Sequence, residues 1–360
     1  MVYSSAEEEC IKMSRKPFVI GMDVSFMDEI ESHGGYYYES NGERQDLLTL
    51  LKNNGTNAIR LRIWNEPDGG FCNLDRTIEI AKRLKQHNLQ FLLDFHYSDG
   101  WADPANQWKP KAWAELSYEE LLQAVRTYTS FVLEALKEQA VLPNMVQVGN
   151  EITPGMLWDD GRVDGDYNTD KQWQQFAGLV KAGIEGVKSV DSSISIMIHI
   201  DRGGDEKASR VFYDRFQQLN VEFDVIGLSY YPWWHGPLEA LRSNLHHLAV
   251  RYGKPIYVVE SAYPWTLEQL AGGEWIVNKE EQLLPDFPAT PEGQQQYFEQ
   301  LLSIIRDVPN GLGEGFYYWE PAWIPMKSEW SVGHPNNWGN LTLFDFNGQK
   351  LQSFLAFAAK

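Results

Sequence analysis

Only two cysteines, Cys10 and Cys72, occur in 360 residues, so no disulfide framework holds this chain together. Unpaired thiols fit a reducing compartment. No run of eighteen apolar residues is present, which excludes a membrane-spanning helix. The lead-in from Met1 to Lys16 has no apolar stretch of the kind a secretory signal needs and is acidic at Glu7, Glu8 and Glu9. A cytoplasmic protein is the expectation, or a secreted one whose signal was removed. Positive charge is scarce too: 31 basic against 50 acidic side chains leave a net charge of -19. Such a surface repels nucleic acid, anionic membranes and polyanionic substrates, but not a neutral polymer. Gly-rich nucleotide fingerprints and zinc-spaced Cys/His clusters are missing as well.

Aromatic residues are abundant. Fourteen Trp and seventeen Tyr exceed what a core of this size needs. In loops, their flat apolar faces suit the C–H faces of pyranose rings. The acidic group Asp159, Asp160, Asp164 and Asp166 lacks the spaced bidentate Glu of a calcium loop and reads as a solvated connection.

Two short apolar runs end on a carboxylate. Val146-Gln147-Val148-Gly149-Asn150-Glu151 and Pro255-Ile256-Tyr257-Val258-Val259-Glu260-Ser261 both read as buried strands. An unpaired charge is costly to bury, so a Glu delivered at the same place twice calls for a chemical reason. The remaining strands are Phe18–Val24, Ala58–Trp64, Leu89–His96, Ser195–Ile200, Asp224–Tyr230 and Gly315–Glu320. Helical segments separate them at Glu43–Asn54, Leu74–His87, Asp170–Ser189, Asp205–Gln218, Leu238–Tyr252, Pro291–Arg306 and Lys350–Ala358. One more helix opens on the capping box Ser117-x-x-Glu120 and runs to about Gln139. Strict alternation of eight strands with helices predicts a single α/β domain, a (β/α)8 TIM barrel over residues 17–360, behind a polar extension at 1–16. In that fold the carboxyl ends of all strands share one face, so Asp23, Arg60, His96, Asn150, Glu151, Tyr230, Glu260 and Trp319 gather there.

The chain resembles the endo-β-1,4-galactanases of glycoside hydrolase family 53, in the large clan of (β/α)8 retaining glycosidases. The matching strings are Gly55-Thr56-Asn57-Ala58-Ile59-Arg60, Asp94-Phe95-His96-Tyr97-Ser98-Asp99 with Trp101-Ala102-Asp103-Pro104, and Gly149-Asn150-Glu151-Ile152. They continue with Leu157-Trp158, Gly161-Arg162, Ser229-Tyr230-Tyr231-Pro232, Val258-Val259-Glu260 and Tyr318-Trp319-Glu320-Pro321-Ala322-Trp323. The resemblance implies Glu151 as acid/base and Glu260 as nucleophile, with a neutral β-1,4-galactan or galacto-oligosaccharide as substrate. It also implies substrate-side roles for Arg60, Asn150, His96, Asp99, Trp101, Trp319 and one of Tyr230 or Tyr231. Arg60 is expected to keep Glu260 ionised, and Arg62 is open between site and scaffold. Trp233, Trp234 and Trp323 are further candidate platforms. No cofactor is required. Some bacterial members carry a calcium-binding Asp-x-Asp-x-His-x-Asn run after strand seven. Residues 263–288 here do not match it, which counts against a structural calcium. The competing readings are a mannanase or glucanase using the same two glutamates, or a glycan-binding barrel that does not cut.

Overall fold

The computed structural model describes residues 17–270 and 274–358. The polar lead-in at 1–16, with the expectations on extension and compartment drawn from it, lies outside them. Eight parallel strands close into a barrel: β1 (Val19–Asp23), β2 (Ala58–Ile63), β3 (Gln90–Phe95), β4 (Met145–Val148), β5 (Ser195–Ile200), β6 (Val225–Ser229), β7 (Ile256–Glu260) and β8 (Gly313–Trp319). Each pairs with its sequence neighbour, and β1 closes the ring against β8 with Asp23 beside Trp319. Helices α1 (Leu47–Asn53), α2 (Leu74–Gln86), α3 (Tyr118–Glu138), α4 (Asp170–Val190), α5 (Glu206–Gln218), α6 (Leu238–Tyr252) and α7 (Pro291–Arg306) follow β1 to β7 on the outside. Among the described residues no helix is long and apolar enough to cross a membrane.

The pleat explains how one strand set builds both a core and a site. Side chains two apart share a face. Val19, Ala58, Leu92, Met197, Val225, Tyr257 and Tyr317 form one apolar cluster drawn from most of the strands, distinct from the larger core between strands and helices. Gly21 has no side chain because a Cβ there would lie 2.2 Å from the Tyr317 ring, which takes that space. One pleat further along, the same parity delivers Asp23, Arg60, Asp94, Gln147 and His199, all buried. The barrel interior therefore changes from apolar to polar toward the carboxyl ends of its strands.

Helix ends follow local chemistry. Ser117 and Glu120 form the expected reciprocal capping box on α3, whose buried stripe is Leu121, Val125, Val132, Leu133 and Leu136. Ser117→Ala is expected to cost about 1 kcal/mol, read as a lower urea midpoint at an unchanged slope.

Two expectations are corrected. The first helix does not begin at Glu43, because the Asp46 side chain accepts from Thr49 N–H and starts α1 at Leu47. Arg44–Gln45 instead pairs with Tyr37–Tyr38 in a small antiparallel ribbon. The last segment is no full helix but a 3-10 turn, Gln352–Ala356, with no side-chain cap at Leu351. Phe354 and Phe357 still seal that side of the core.

Candidate active site

Strand β4 stops at Val148, and the chain then turns sharply. Gly149 sits at φ 82° and Glu151 at φ 47°, a left-handed conformation that a Glu seldom adopts. The turn places Glu151 in a cleft of about 250 Å³ at the carboxyl end of the barrel, and Glu260 lines the same cleft. Pairing between β6 and β7 is irregular between Leu228 and Ser229, which brings Ser229 level with Glu260. Irregularities of this kind re-aim side chains beside active sites.

Beneath the cleft, the Arg60 guanidinium joins four strands. Nη1 contacts Asp23 at 2.7 Å and Glu260 at 2.8 Å. Nη2 contacts Asp94 at 2.8 Å and Asn150 Oδ1 at 2.8 Å, and Nε reaches Gln147 at 3.3 Å. The flat fork meets every partner with a charge-assisted or polar hydrogen bond, which a buried cation requires. Glu260 has its second oxygen bonded too, by Tyr231 Oη–H at 3.1 Å. Burial pushes the Tyr231 phenol well above its usual range, so it stays a donor.

The two carboxyls differ in surroundings. Burial raises Glu260; Arg60 and Tyr231 draw it back against Asp23 and Asp94, and it ends at about 7. Arg60 thus limits the effect of burial without reversing it. Glu151 has no cation among these influences. Burial, then Glu260 and Asp201, hold it well above the carboxylate range. Glu260 therefore ionises first and Glu151 keeps its proton longer, the order that a nucleophile and an acid need.

Arg60→Lys tests the cation. One ammonium cannot reach the Asp23–Glu260 side and the Asp94–Asn150 side together. Arg60 favours ionised Glu260, so weakening it raises that pKa, and the acid limb of kcat/KM is expected to move up by about one pH unit. An unmoved limb would show that Glu260 owes nothing to Arg60.

Asn150 accepts from Arg60 and donates one amide N–H to Ala102 O at 2.8 Å, leaving its second N–H for a ligand. His96 Nδ1 accepts from Trp64 Nε1 and Ala102 N, so its Nε2–H points to Asp94 at 3.1 Å. The ring still lines the cleft. Trp101 and Trp319 form its aromatic walls with centroids 5.9 Å apart, and Trp338 packs on Trp319 at 4.6 Å. Trp234 and Trp323 also line it. Arg62 belongs to the scaffold. It pairs with Glu320 at 2.6 Å and lies 4.6 Å under the Trp101 ring, supporting that wall.

Three expected residues fall outside the cleft lining, Arg60 beneath it and then Asp99 and Tyr230, as does the candidate platform Trp233. Both oxygens of Asp99 are taken by backbone amides, Glu66 N at 3.0 Å and Lys111 N at 2.7 Å, so it ties loops together. Tyr230 turns away and donates to Gly236 O at 2.7 Å, leaving Tyr231 as the tyrosine on Glu260. Sequence reading missed Asp94, Gln147, His199 and Ser229, although each lies at or near the carboxyl end of its strand. Trp338 gave no signal, since it arrives from the long loop after β8. A second hollow, of about 620 Å³ beside Trp108 and Trp158, shares no lining residue with the cleft and holds neither glutamate. Among the described residues no group of three or more His, Cys, Asp or Glu could hold a metal ion.

The model of glycosyl hydrolase family 53 matches residues 19–357. A Niallia circulans protein, named only for its place in the bgaB 5′ region, is 71% identical over 96% of this chain and 95% of its own. The arabinogalactan endo-β-1,4-galactanase of Cellvibrio japonicus is 36% identical, covering 95% of this chain and 91% of its own. The family 53 catalytic domain of Ignisphaera aggregans superposes with a TM-score of 0.89 at 41% identity, over 94% of this chain and 95% of that one. With the family model spanning nearly the whole closed barrel, this chain belongs to glycosyl hydrolase family 53.

Proposed function

We propose that this chain hydrolyses β-1,4-galactosidic bonds in galactan, type I arabinogalactan or oligosaccharides derived from them, within the chain and with retention of configuration. The observation that carries the reading is the asymmetry of the two cleft glutamates: Glu260 is held by Arg60 and Tyr231, and Glu151 by neither. An ionised Glu260 attacks the anomeric carbon while Glu151 gives its proton to the departing oxygen, and a glycosyl–Glu260 ester forms. Glu151, now a carboxylate, takes a proton from water as that water opens the ester. The free N–H of Asn150 suits the sugar 2-hydroxyl, a contact that tightens in the transition state. Trp319 suits the floor of the central subsite and Trp101 a neighbouring wall. No step calls for a cofactor.

The substrate follows from the relatives' activity and from the charge. A surface of net charge -19 favours a neutral glycan over a polyanion. Linear β-1,4-galactan, β-mannan and the neutral hydroxyethylcellulose, assayed side by side, separate this reading from its rivals. Cleavage of galactan alone is expected. Cleavage of only the other two assigns the chain to another β-glycanase, and binding to galactan without cleavage assigns it to non-catalytic recognition.

A further inference from the structure

Ser229 ends β6 with no exposure, and its hydroxyl donates to Glu151 Oε1 at 2.5 Å. A hydroxyl has one proton to give. The second contact of the same oxygen, with His199 Nε2 at 2.8 Å, is therefore one in which Ser229 accepts from Nε2–H. The other side of the ring agrees. Nδ1 meets two donors, Gln147 Nε2 at 3.0 Å and Glu151 N–H at 3.4 Å. It faces one acceptor, Asn150 Oδ1 at 3.0 Å, which takes Arg60 Nη2–H; the one Gln147 N–H not given to Asp94 either fills Asn150 Oδ1 or donates to Nδ1, and both leave Nδ1 an acceptor. Burial, then the nearby Arg60 charge, keeps the imidazole neutral, with one N–H and one lone pair. A directional chain results, from His199 Nε2–H to Ser229 Oγ–H to Glu151 Oε1. Among the described residues this is the one hydrogen bond to the Glu151 carboxyl, and its Oε2 is left to the cleft that the residue lines.

We propose that Ser229, held by His199, is the positioning residue of the acid/base: it occupies Oε1, so that Glu151 carries its transferable proton on Oε2. This rests on the assignment of Glu151 as acid/base in the function proposed above. Two consequences follow. The carboxyl is fixed in rotation by its Oε1 contact, so the proton is presented toward the leaving oxygen and the same Oε2 later faces the incoming water. The donated bond also favours the charged form. Ser229 lowers the Glu151 pKa while burial, Glu260, Asp201 and Asp103 raise it. Asp201 is itself paired with Arg202 at 2.6 Å, and the neutral Tyr231 and His199 complete the surroundings.

Ser229→Ala tests the role by signs a merely structural residue would not give. Without the hydroxyl, Glu151 stays protonated to higher pH, so the alkaline limb of kcat/KM is expected to rise by about one unit. Turnover of β-1,4-galactan falls about 10- to 100-fold with KM changed less than about 3-fold. A 2,4-dinitrophenyl β-1,4-galactotrioside releases a leaving group that needs no proton, and its kcat/KM falls by less than about 3-fold. Ser229→Cys, nearly isosteric with a weaker donor, shows the same changes at smaller size, and carries the test should the alanine variant not fold. Equal losses on both substrates, or an unmoved alkaline limb, overturn the proposal. Glu151→Gln measured alongside keeps the two readings apart. If it turns over galactan like wild type, the acid/base assignment fails; if it is inactive while the Ser229 variants show no shift, only the role of Ser229 fails.

Discussion

Glu260→Ala is expected to lower turnover of β-1,4-galactan by about 10⁴-fold or more while the protein stays folded. The size comes from chemistry: the variant lacks the atom that bonds to the anomeric carbon. Stability responds differently. Arg60 loses one of its anionic partners but keeps Asp23 and Asp94, so its charge remains paired. The methyl group leaves room on the face opposite the departing sugar. A small anion such as azide entering there is expected to restore part of the activity and to yield an α-galactosyl azide. Wild-type turnover in this variant would remove Glu260 from the mechanism, and a β-azide product would place the missing nucleophile on the other face.

Glu151→Gln has the second largest expected effect, and its signature is selectivity. The amide keeps the shape and can still accept from Ser229, but it has no proton to donate. Loss on galactan is expected at about 10³-fold, within the usual range for general acid catalysis. With a dinitrophenyl galactotrioside the first step needs no acid, so kcat/KM is nearly kept and kcat drops, because the ester with Glu260 then waits for water without a base. A burst of dinitrophenol followed by a slow steady rate is the direct sign. Equal loss of kcat/KM on both substrates would show that Glu151 serves some role other than proton transfer.

The fold was legible because eight strand and helix signals alternate without a break, and alternation leaves few topologies. The two glutamates were legible because each closes an apolar run where a charge has no structural use. Arg60 was legible from its place toward the carboxyl end of its strand and from the matching string that it closes. The contact of the tyrosine was harder to read. Tyr231 precedes Pro232, which holds it extended, at φ -124° and ψ 115°. The pleat therefore continues past Ser229 and places Tyr231, not Tyr230, on the inner face. Which parity is inward depends on the irregular pairing at Leu228 and Ser229, a long-range feature that no local pattern announces. Asp99 misled for a different reason: a short acidic side chain in a loop string serves equally well as a backbone acceptor, and here two amides claim it. Trp338 could not be placed because long loops after a strand have no period to follow.

The most direct measurement is proton NMR of linear β-1,4-galactan during the first minutes of hydrolysis, before mutarotation mixes the anomers. Two successive displacements, first by Glu260 and then by water under Glu151, predict new reducing ends that appear in the β configuration. Reducing ends that appear first as α would mean a single displacement, and would contradict the pairing of these two glutamates as nucleophile and acid/base.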